Sequence, residues 1–324
     1  MFRINLKMFG VELAGWLDNQ CIKSLKRPLK LASNTFLVHL VTFFSLLNRR
    51  YVATKHQYYI HMNNYFYKYR AIYNEKKLDE EQSIKSLFAC EAAFSNRNNF
   101  NDLFDSKINL VPAKPAEVKL LKSKLNNKER FELASLIKNG AFTPKGDQII
   151  NDLINMFNRM IDNYYFYCVS SKNNSNLMWS HYANSHKGFC IEFKADHLNA
   201  NEVGYEKYLP KIKVIDLIFQ KFQMENDELG NTIWKALRTK LEEWRYESEY
   251  RFQASNSMLS NTVKSGDDYK IFQYPERFVE SIIFGCRAKA SVKDYIMENV
   301  PFECKFKQAQ AHKESSSIII KSIE

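Results

Sequence analysis

Glycine is scarce in this chain. There are nine in 324 residues, and none falls at G-x-G-x-x-G or G-x-x-x-x-G-K spacing, which argues against Rossmann and Walker-type nucleotide binding. The six cysteines (Cys21, Cys90, Cys168, Cys190, Cys286 and Cys304) contain no C-x-x-C pair, so cysteine offers no zinc framework and no metal is expected. Cys168, Cys190 and Cys286 lie in apolar, strand-like contexts and read as buried free thiols of a reducing compartment, the cytoplasm. No internal repeat is present. Acids are outnumbered, giving a net charge of +11, and such an excess suggests an anionic partner. Its distribution weakens that inference. Residues 1–61 hold nine Lys/Arg and two acids, +7 of the total, and leave +4 for the rest. Nucleic acid is allowed as a partner, not required.

Residues 1–61 differ in texture from the remainder of the chain. A basic stretch, Lys23 to Lys30, precedes an apolar run from Thr35 to Leu47, then Arg49 and Arg50. The run is broken by His39, Thr42 and Ser45 and is shorter than the roughly 20 residues a spanning helix needs. Three readings stand: an interfacial or spanning helix, so that a membrane is a partner only if residues 35–47 insert; a partner-binding or core helix; or an accessory extension outside the fold, with Met62 as an alternative start. The chain is divided accordingly into an N-terminal extension, residues 1–61, and a single α+β domain of catalytic type, residues 62–324.

That domain reads as a mixed, mostly antiparallel β-sheet core with helical insertions. Tyr65 to Arg70 is aromatic and strand-like, as are Cys90 to Phe94, Tyr164 to Ser170 and Gly188 to Phe193. Tyr246 to Phe252, Tyr269 to Tyr274, Phe278 to Phe284, Phe302 to Phe306 and Ile318 to Ile323 are further strands, and Phe104 to Leu110 an extended edge. Helical periodicity marks Leu78 to Phe88, a helical insertion at about 113–162, Ile233 to Glu243, and Ser291 to Glu298 with Ser291 as N-cap.

Three constellations could carry chemistry. The first is the run Met178-Trp179-Ser180-His181-Tyr182-Ala183-Asn184-Ser185-His186-Lys187-Gly188. His181 and His186 are one position too far apart for one helix face, so each is either a base or ligand group, or a core histidine satisfied by backbone. The second is Trp244-Arg245-Tyr246-Glu247-Ser248-Glu249-Tyr250-Arg251-Phe252. Read as a strand, it puts Glu247, Glu249 and Arg251 on one face. Such a row suits a cleft where a carboxylate orients a sugar hydroxyl or takes a proton; its bland alternative is a charged edge that blocks strand pairing. The third is Tyr67-Lys68-Tyr69-Arg70 with Asn98 to Asp102, a cation beside aromatics that could hold a phosphate or ribose, or an ordinary edge strand.

The order of these motifs, with Ile283-Phe284-Gly285 after them, resembles the bacterial family called domain of unknown function 2971 over about residues 62–285. More loosely, the layout is similar to ADP-ribosyltransferase-like toxins. That second resemblance implies an ADP-ribosyltransferase-like fold with NAD as substrate. Lys68 or Arg70, with Tyr69, Asn101, Asp102, Trp179, Tyr182 and Arg251 about them, would hold the cofactor, and Tyr182 would stack on nicotinamide. Glu249 would be the catalytic acid, with Glu247 beside it and His181 near. The expected function is then a bacterial effector or phage-defence toxin that transfers ADP-ribose from NAD to a macromolecule, nucleic acid or protein, and is neutralised by an antitoxin or chaperone. Two rivals stand: a nucleic-acid-binding or nuclease-like protein using His181, His186, Glu247 and Glu249 with Arg97, Arg251 and the basic N-terminal extension, and a non-enzymatic recognition module of a defence system.

Overall fold

The computed structural model describes residues 64–120, 126–198, 200–222, 227–254 and 256–323. The extension read as residues 1–61, its apolar run and Met62 lie outside them. No helix among the described residues is long and apolar enough to cross a membrane.

In chain order the strands are β1 (Tyr65–Arg70), β2 (Glu91–Ser95), β3 (Asn109–Val111), β4 (Ile137–Lys138), β5 (Ala141–Phe142), β6 (Phe166–Ser170), β7 (Phe189–Lys194), β8 (Asn201–Glu202), β9 (Gly204–Glu206), β10 (Lys211–Lys213), β11 (Thr239–Leu241), β12 (Glu249–Gln253), β13 (Lys264–Ser265), β14 (Tyr269–Gln273), β15 (Val279–Phe284), β16 (Lys305–His312) and β17 (Ser317–Ser322). The helices are α1 (Gln82–Phe88), α2 (Pro115–Leu120), α3 (Asn127–Ala134), α4 (Pro144–Asp162), α5 (Asn176–Tyr182), α6 (Val214–Phe222), α7 (Asp227–Ala236), α8 (Asn256–Leu259) and α9 (Ala290–Asn299).

The chain is mixed α+β. Its main sheet has 11 strands in the order β13-β14-β2-β6-β1-β7-β15-β16-β17, with β12 added to β6 and β8 to β12. All its pairings are antiparallel except β15 with β16. β7 runs through the middle and is buried on both sides, which is why its sequence is apolar with little alternation. Elsewhere the two-residue period of a strand sorts the core into two faces. Phe66, Phe189, Ile282 and Phe284 point to one face with Ile84 and Leu87 of α1 and Val292 and Ile296 of α9. Tyr67, Tyr69, Cys190 and Ile283 point to the other, with Met178, Trp179 and Ala183 at α5.

The sheet splits where β6 leaves its neighbours. β1 pairs with β7 along six residues but with β6 only at Tyr67–Ser170. β2 meets β6 only at Ser95–Phe166. The opening between β1 and β2 is where the site lies.

Several expectations are corrected. The stretch Trp244 to Glu247 is part of a 3₁₀ helix, Glu242–Glu247, ended by Ser248 in the left-handed region at φ 45°; the strand begins only at Glu249. The helix read over Ile233 to Glu243 stops at Ala236, because Thr239–Leu241 pairs in parallel with β9. Phe104 to Leu110 is a turn that enters β3, which pairs with β10 away from the main sheet. The last helix is capped by Lys289 without a side-chain bond, not by Ser291. The insertion at 113–162 holds α2, α3 and α4, together with the β4–β5 hairpin.

Candidate functional site

A cavity of about 270 Å³ opens in the split, lined by Tyr67, Lys68 and Tyr69 of β1, Cys168 to Ser170 of β6, Phe100 and Asn101 of the loop after β2, Met178 and Tyr182 of α5, and Asp105, Lys240, Glu247 and Glu249. Each arrives for a local reason. Asn96 caps its own turn by accepting from the Asn98 amide and so starts the loop that carries Phe100 and Asn101. Ser175 caps α5, which ends at Tyr182. The left-handed Ser248 turns the chain so that Glu247 and Glu249 face one place from two different elements. Ser170 Oγ donates to the Glu247 carbonyl at 2.6 Å and fixes that turn to β6.

The polar wall is a connected ion cluster. Lys240 Nζ lies 2.5 Å from Glu247 Oε2, 3.0 Å from Glu249 Oε2 and 3.3 Å from Asp105 Oδ2. Arg251, fully buried, donates to Glu249 Oε1 at 2.8 Å, to both Asp105 oxygens at 2.7 Å, to Ser106 Oγ at 2.6 Å and to the Leu237 carbonyl at 2.7 Å. The Glu249 amide donates to the Tyr205 hydroxyl at 2.8 Å. On the cavity side the Tyr182 hydroxyl donates to Glu247 Oε1 and accepts from Asn101 Nδ2 at 3.0 Å.

The two glutamates differ in protonation because their partners differ. Burial pushes Glu247 up to about 7; Lys240 opposes this and the Glu249 charge adds to it. Burial also disfavours the ionised form of Glu249, but Arg251 and Lys240 more than offset it and hold that carboxyl well below the usual range. Two adjacent carboxylates with separated titrations are how acid and base roles are divided. The Tyr182 phenol is pushed up by burial and by Glu247 and donates to that carboxylate while accepting from Asn101. Lys68 donates to the Cys168 carbonyl at 2.8 Å across the split, lies 4.7 Å from the centre of the Tyr167 ring, and has its pKa lowered by burial.

Residues 178–252 match the model of a family described as a protein of unknown function, DUF2971. The DUF2971 match is narrower than the span of the motifs that resemble it. It runs from α5 into β12 and so contains Tyr182, Lys240, Glu247, Glu249 and Arg251. No curated protein and no solved structure matches the chain.

Of the residues singled out from the sequence, the structure brings Lys68, Tyr69, Asn101, Tyr182, Glu247 and Glu249 to the cavity, with Arg251 directly behind Glu249. It does not bring the others. Arg70 ends β1 outside the lining, so Lys68 is the first-strand cation that faces in. Trp179 is fully buried, its indole donating to the Asn173 carbonyl at 2.7 Å. His181 is exposed and faces Tyr246 at 5.9 Å. Asp102 is buried and caps its own turn by accepting from the Phe104 amide at 2.8 Å. Arg97 pairs with Asp162 at 2.7 Å. Among the described residues no group of three or more His, Cys, Asp or Glu is arranged to hold a metal ion; the three carboxylates that converge do so on the Lys240 ammonium. Sequence reasoning missed Lys240 and Asp105. Lys240 sits in Thr-Lys-Leu with no motif around it, and Asp105 lies in a turn-rich run. The one available signal was a count: two glutamates and one arginine on a buried face need another cation.

Proposed function

We propose that the cavity is the active site of an NAD-consuming transferase that moves ADP-ribose to a macromolecular acceptor. One observation carries the reading: two carboxylates stand at one cavity wall, Glu249 paired with both Arg251 and Lys240 and Glu247 with Lys240 alone. Displacement of nicotinamide passes through an oxocarbenium-like transition state. The bond from ribose C1′ to nicotinamide breaks, the pair leaves with nicotinamide, and a bond forms from C1′ to the acceptor nucleophile, whose proton must go elsewhere. A fixed negative charge stabilises the cationic carbon, and Glu249 supplies one that cannot easily be neutralised. Glu247 is matched in pKa to take the proton. Tyr67, Tyr69, Phe100 and Tyr182 offer aromatic surface to planar rings. Lys68 is a lining cation outside the ion cluster. The division of labour thus differs from the one the resemblance implies: Glu249 acts through its charge and Glu247 carries the proton.

The recognition-module reading has one observation in its favour, the mutual pairing and burial of Asp105, Lys240, Glu249 and Arg251. The cavity at Tyr182 favours the enzyme over it. The nuclease-like reading has less support, since His181, His186 and Arg97 do not join the carboxylates.

The test is nicotinamide release from NAD by the purified chain, with and without RNA, DNA and protein as acceptors. Release that rises with one acceptor class, and falls by about 10²-fold or more in Glu249→Gln, is expected. Equal turnover by Glu249→Gln would overturn the mechanism. No release with any acceptor would hand the site to the module reading.

A further inference from the structure

The described structure contains one cation that touches every carboxylate of the cavity wall, and nothing in the motifs assigns it a role. Lys240 is 4 % exposed. It stands on β11, a strand outside the main sheet, and reaches in to Glu247, Glu249 and Asp105, which come from three other segments. Its ammonium also lies 5.0 Å from the centre of the Trp244 ring. A lysine paired with one carboxylate would be an ordinary ion pair. Here three share it, while Arg251 already serves Glu249 and Asp105. Glu247 is the one member with no other cation at salt-bridge distance among the described residues.

We propose that Lys240 is a positioning residue of the cavity: its ammonium draws the Glu247 and Glu249 carboxylates to one point on the wall and keeps Glu247 available as a proton acceptor. The proposal rests on the reading of the cavity as an active site for its catalytic meaning, but its electrostatic content stands apart from turnover. The groups around Glu247 are Lys240, Glu249 with Arg251 behind it, Asp105 beyond Lys240, the Tyr182 hydroxyl, and, within electrostatic reach, Lys68, Tyr205 and Tyr246. Of these, only Lys240 both touches Glu247 and carries positive charge. Burial raises the pKa of Glu247, and Lys240 is the first group that lowers it. Lys240 is itself held protonated: burial works against its charge, but Glu249, Asp105 and Glu247 more than offset this.

The experiment is a titration of the glutamate side-chain carboxyls by NMR in the full chain. It compares wild type with Lys240→Met, Lys240→Arg and Asp105→Asn. An opposite charge at this distance moves a carboxyl by about one to three pH units, so Lys240→Met is expected to raise the Glu247 midpoint by at least about one unit. Lys240→Arg restores it. Asp105→Asn moves it down, because one fewer carboxylate then competes for the ammonium. The opposite signs keep the proposal open to refutation even if Lys240→Met does not fold. A Glu247 midpoint that stays still in Lys240→Met, or that rises in Asp105→Asn, overturns it. In turnover, the acid limb of the pH profile of Lys240→Met should shift up with the midpoint, and a uniform loss at all pH values would point to a merely structural lysine. If the midpoints move as stated and no variant or wild type releases nicotinamide, the transferase reading falls and the positioning role of Lys240 remains.

Discussion

Arg251→Met is the sharpest perturbation the cluster offers. The side chain is fully buried and every one of its nitrogens is engaged. Methionine fills much of the volume, so packing loss is small and the effect is electrostatic. Two buried carboxylates lose their arginine. Glu249 keeps Lys240 at 3.0 Å and Asp105 keeps it at 3.3 Å, so neither is left with no cation. Ser106 Oγ still donates to the Leu237 carbonyl at 3.0 Å. A hydrogen bond to a charged group contributes about 1.5–3 kcal/mol, and removing one partner of a buried pair costs about 3–5 kcal/mol; with two carboxylates each half-compensated, a loss of about 4 kcal/mol follows. For a domain of this size that lowers Tm by roughly 8–16 °C. The sign of the pH dependence is a second check. The folded-state pKa of Glu249 is depressed, so its contribution is present above the ordinary value of 4.5 and is lost as pH falls. Without Arg251 most of that contribution is gone at neutral pH. The gap between wild type and Arg251→Met should be full near neutrality and narrow in acid. The assay is thermal unfolding across pH. A loss under about 1 kcal/mol at neutral pH, or a gap that does not narrow, would refute the buried-cluster account.

Three further outcomes are expected. Glu247 has its folded pKa raised, from 4.5 to about 7, so between those values the folded chain binds more protons than the unfolded one and stability falls as pH rises; Glu247→Gln should flatten that slope in a series of urea midpoints, and an unchanged slope would mean that Glu247 is not the titrating group. Gly188→Ala would place a Cβ 2.0 Å from the Arg70 carbonyl oxygen, forcing apart the start of β7 and the end of β1 at a cost of about 1–3 kcal/mol. Gly140→Ala, at φ 77° with nothing within 4 Å, should lose only about 1 kcal/mol of backbone preference, and equal melting shifts for the two variants would undercut the steric argument.

The sheet is legible because its strands are aromatic and β-branched: Tyr65 to Arg70, Phe166 to Ser170 and Val279 to Phe284 lie where their composition puts them. The errors arise where local pattern and local structure part. Trp244 to Phe252 alternates as a strand does throughout, yet its first half is helical. The period of a 3₁₀ turn also sets Glu247 inward, and only the left-handed Ser248 distinguishes the two paths. The β16 strand is legible only to Phe306, because Lys307 to His312 is polar and small; it is a strand through its ladder with β17, a tertiary cause invisible in composition. The α7 helix reads too long because Lys240, Leu241, Glu242 and Glu243 all favour helix in isolation. That same misreading hides Lys240. A lysine on a helix surface calls for no partner, whereas a lysine on a buried strand does. The candidate site is thus half legible: its glutamates, Tyr182 and Lys68 announce themselves by chemistry, while Asp105 and Lys240 become visible only once burial is known.

The distinctive run around Trp179 and His186 acquires a different meaning in this light. Asn184, Ser185 and His186 all have positive φ, at 46°, 54° and 69°, a conformation that costs about 1–2 kcal/mol per residue. The cost is offset by a closed set of bonds. Ser185 N donates to the Ser180 carbonyl, His186 N to the Trp179 carbonyl and Gly188 N to the Ala183 carbonyl, while Asn184 Nδ2 donates to the Ile72 carbonyl at 2.7 Å. The His186 carbonyl in turn accepts from Arg287 N. The His186 ring stacks on Trp179 at 6.5 Å, and burial with Arg287 nearby lowers its pKa, so the ring is held neutral. This turn leads from α5, whose last residue Tyr182 donates to Glu247, into β7. The matched segment, residues 178–252, therefore joins two kinds of residue. Those of the turn act by geometry, and a change there should misplace Tyr182 and loosen the sheet together. Those of the ion cluster act by charge, and a change there should alter which glutamate holds a proton while the cavity keeps its shape.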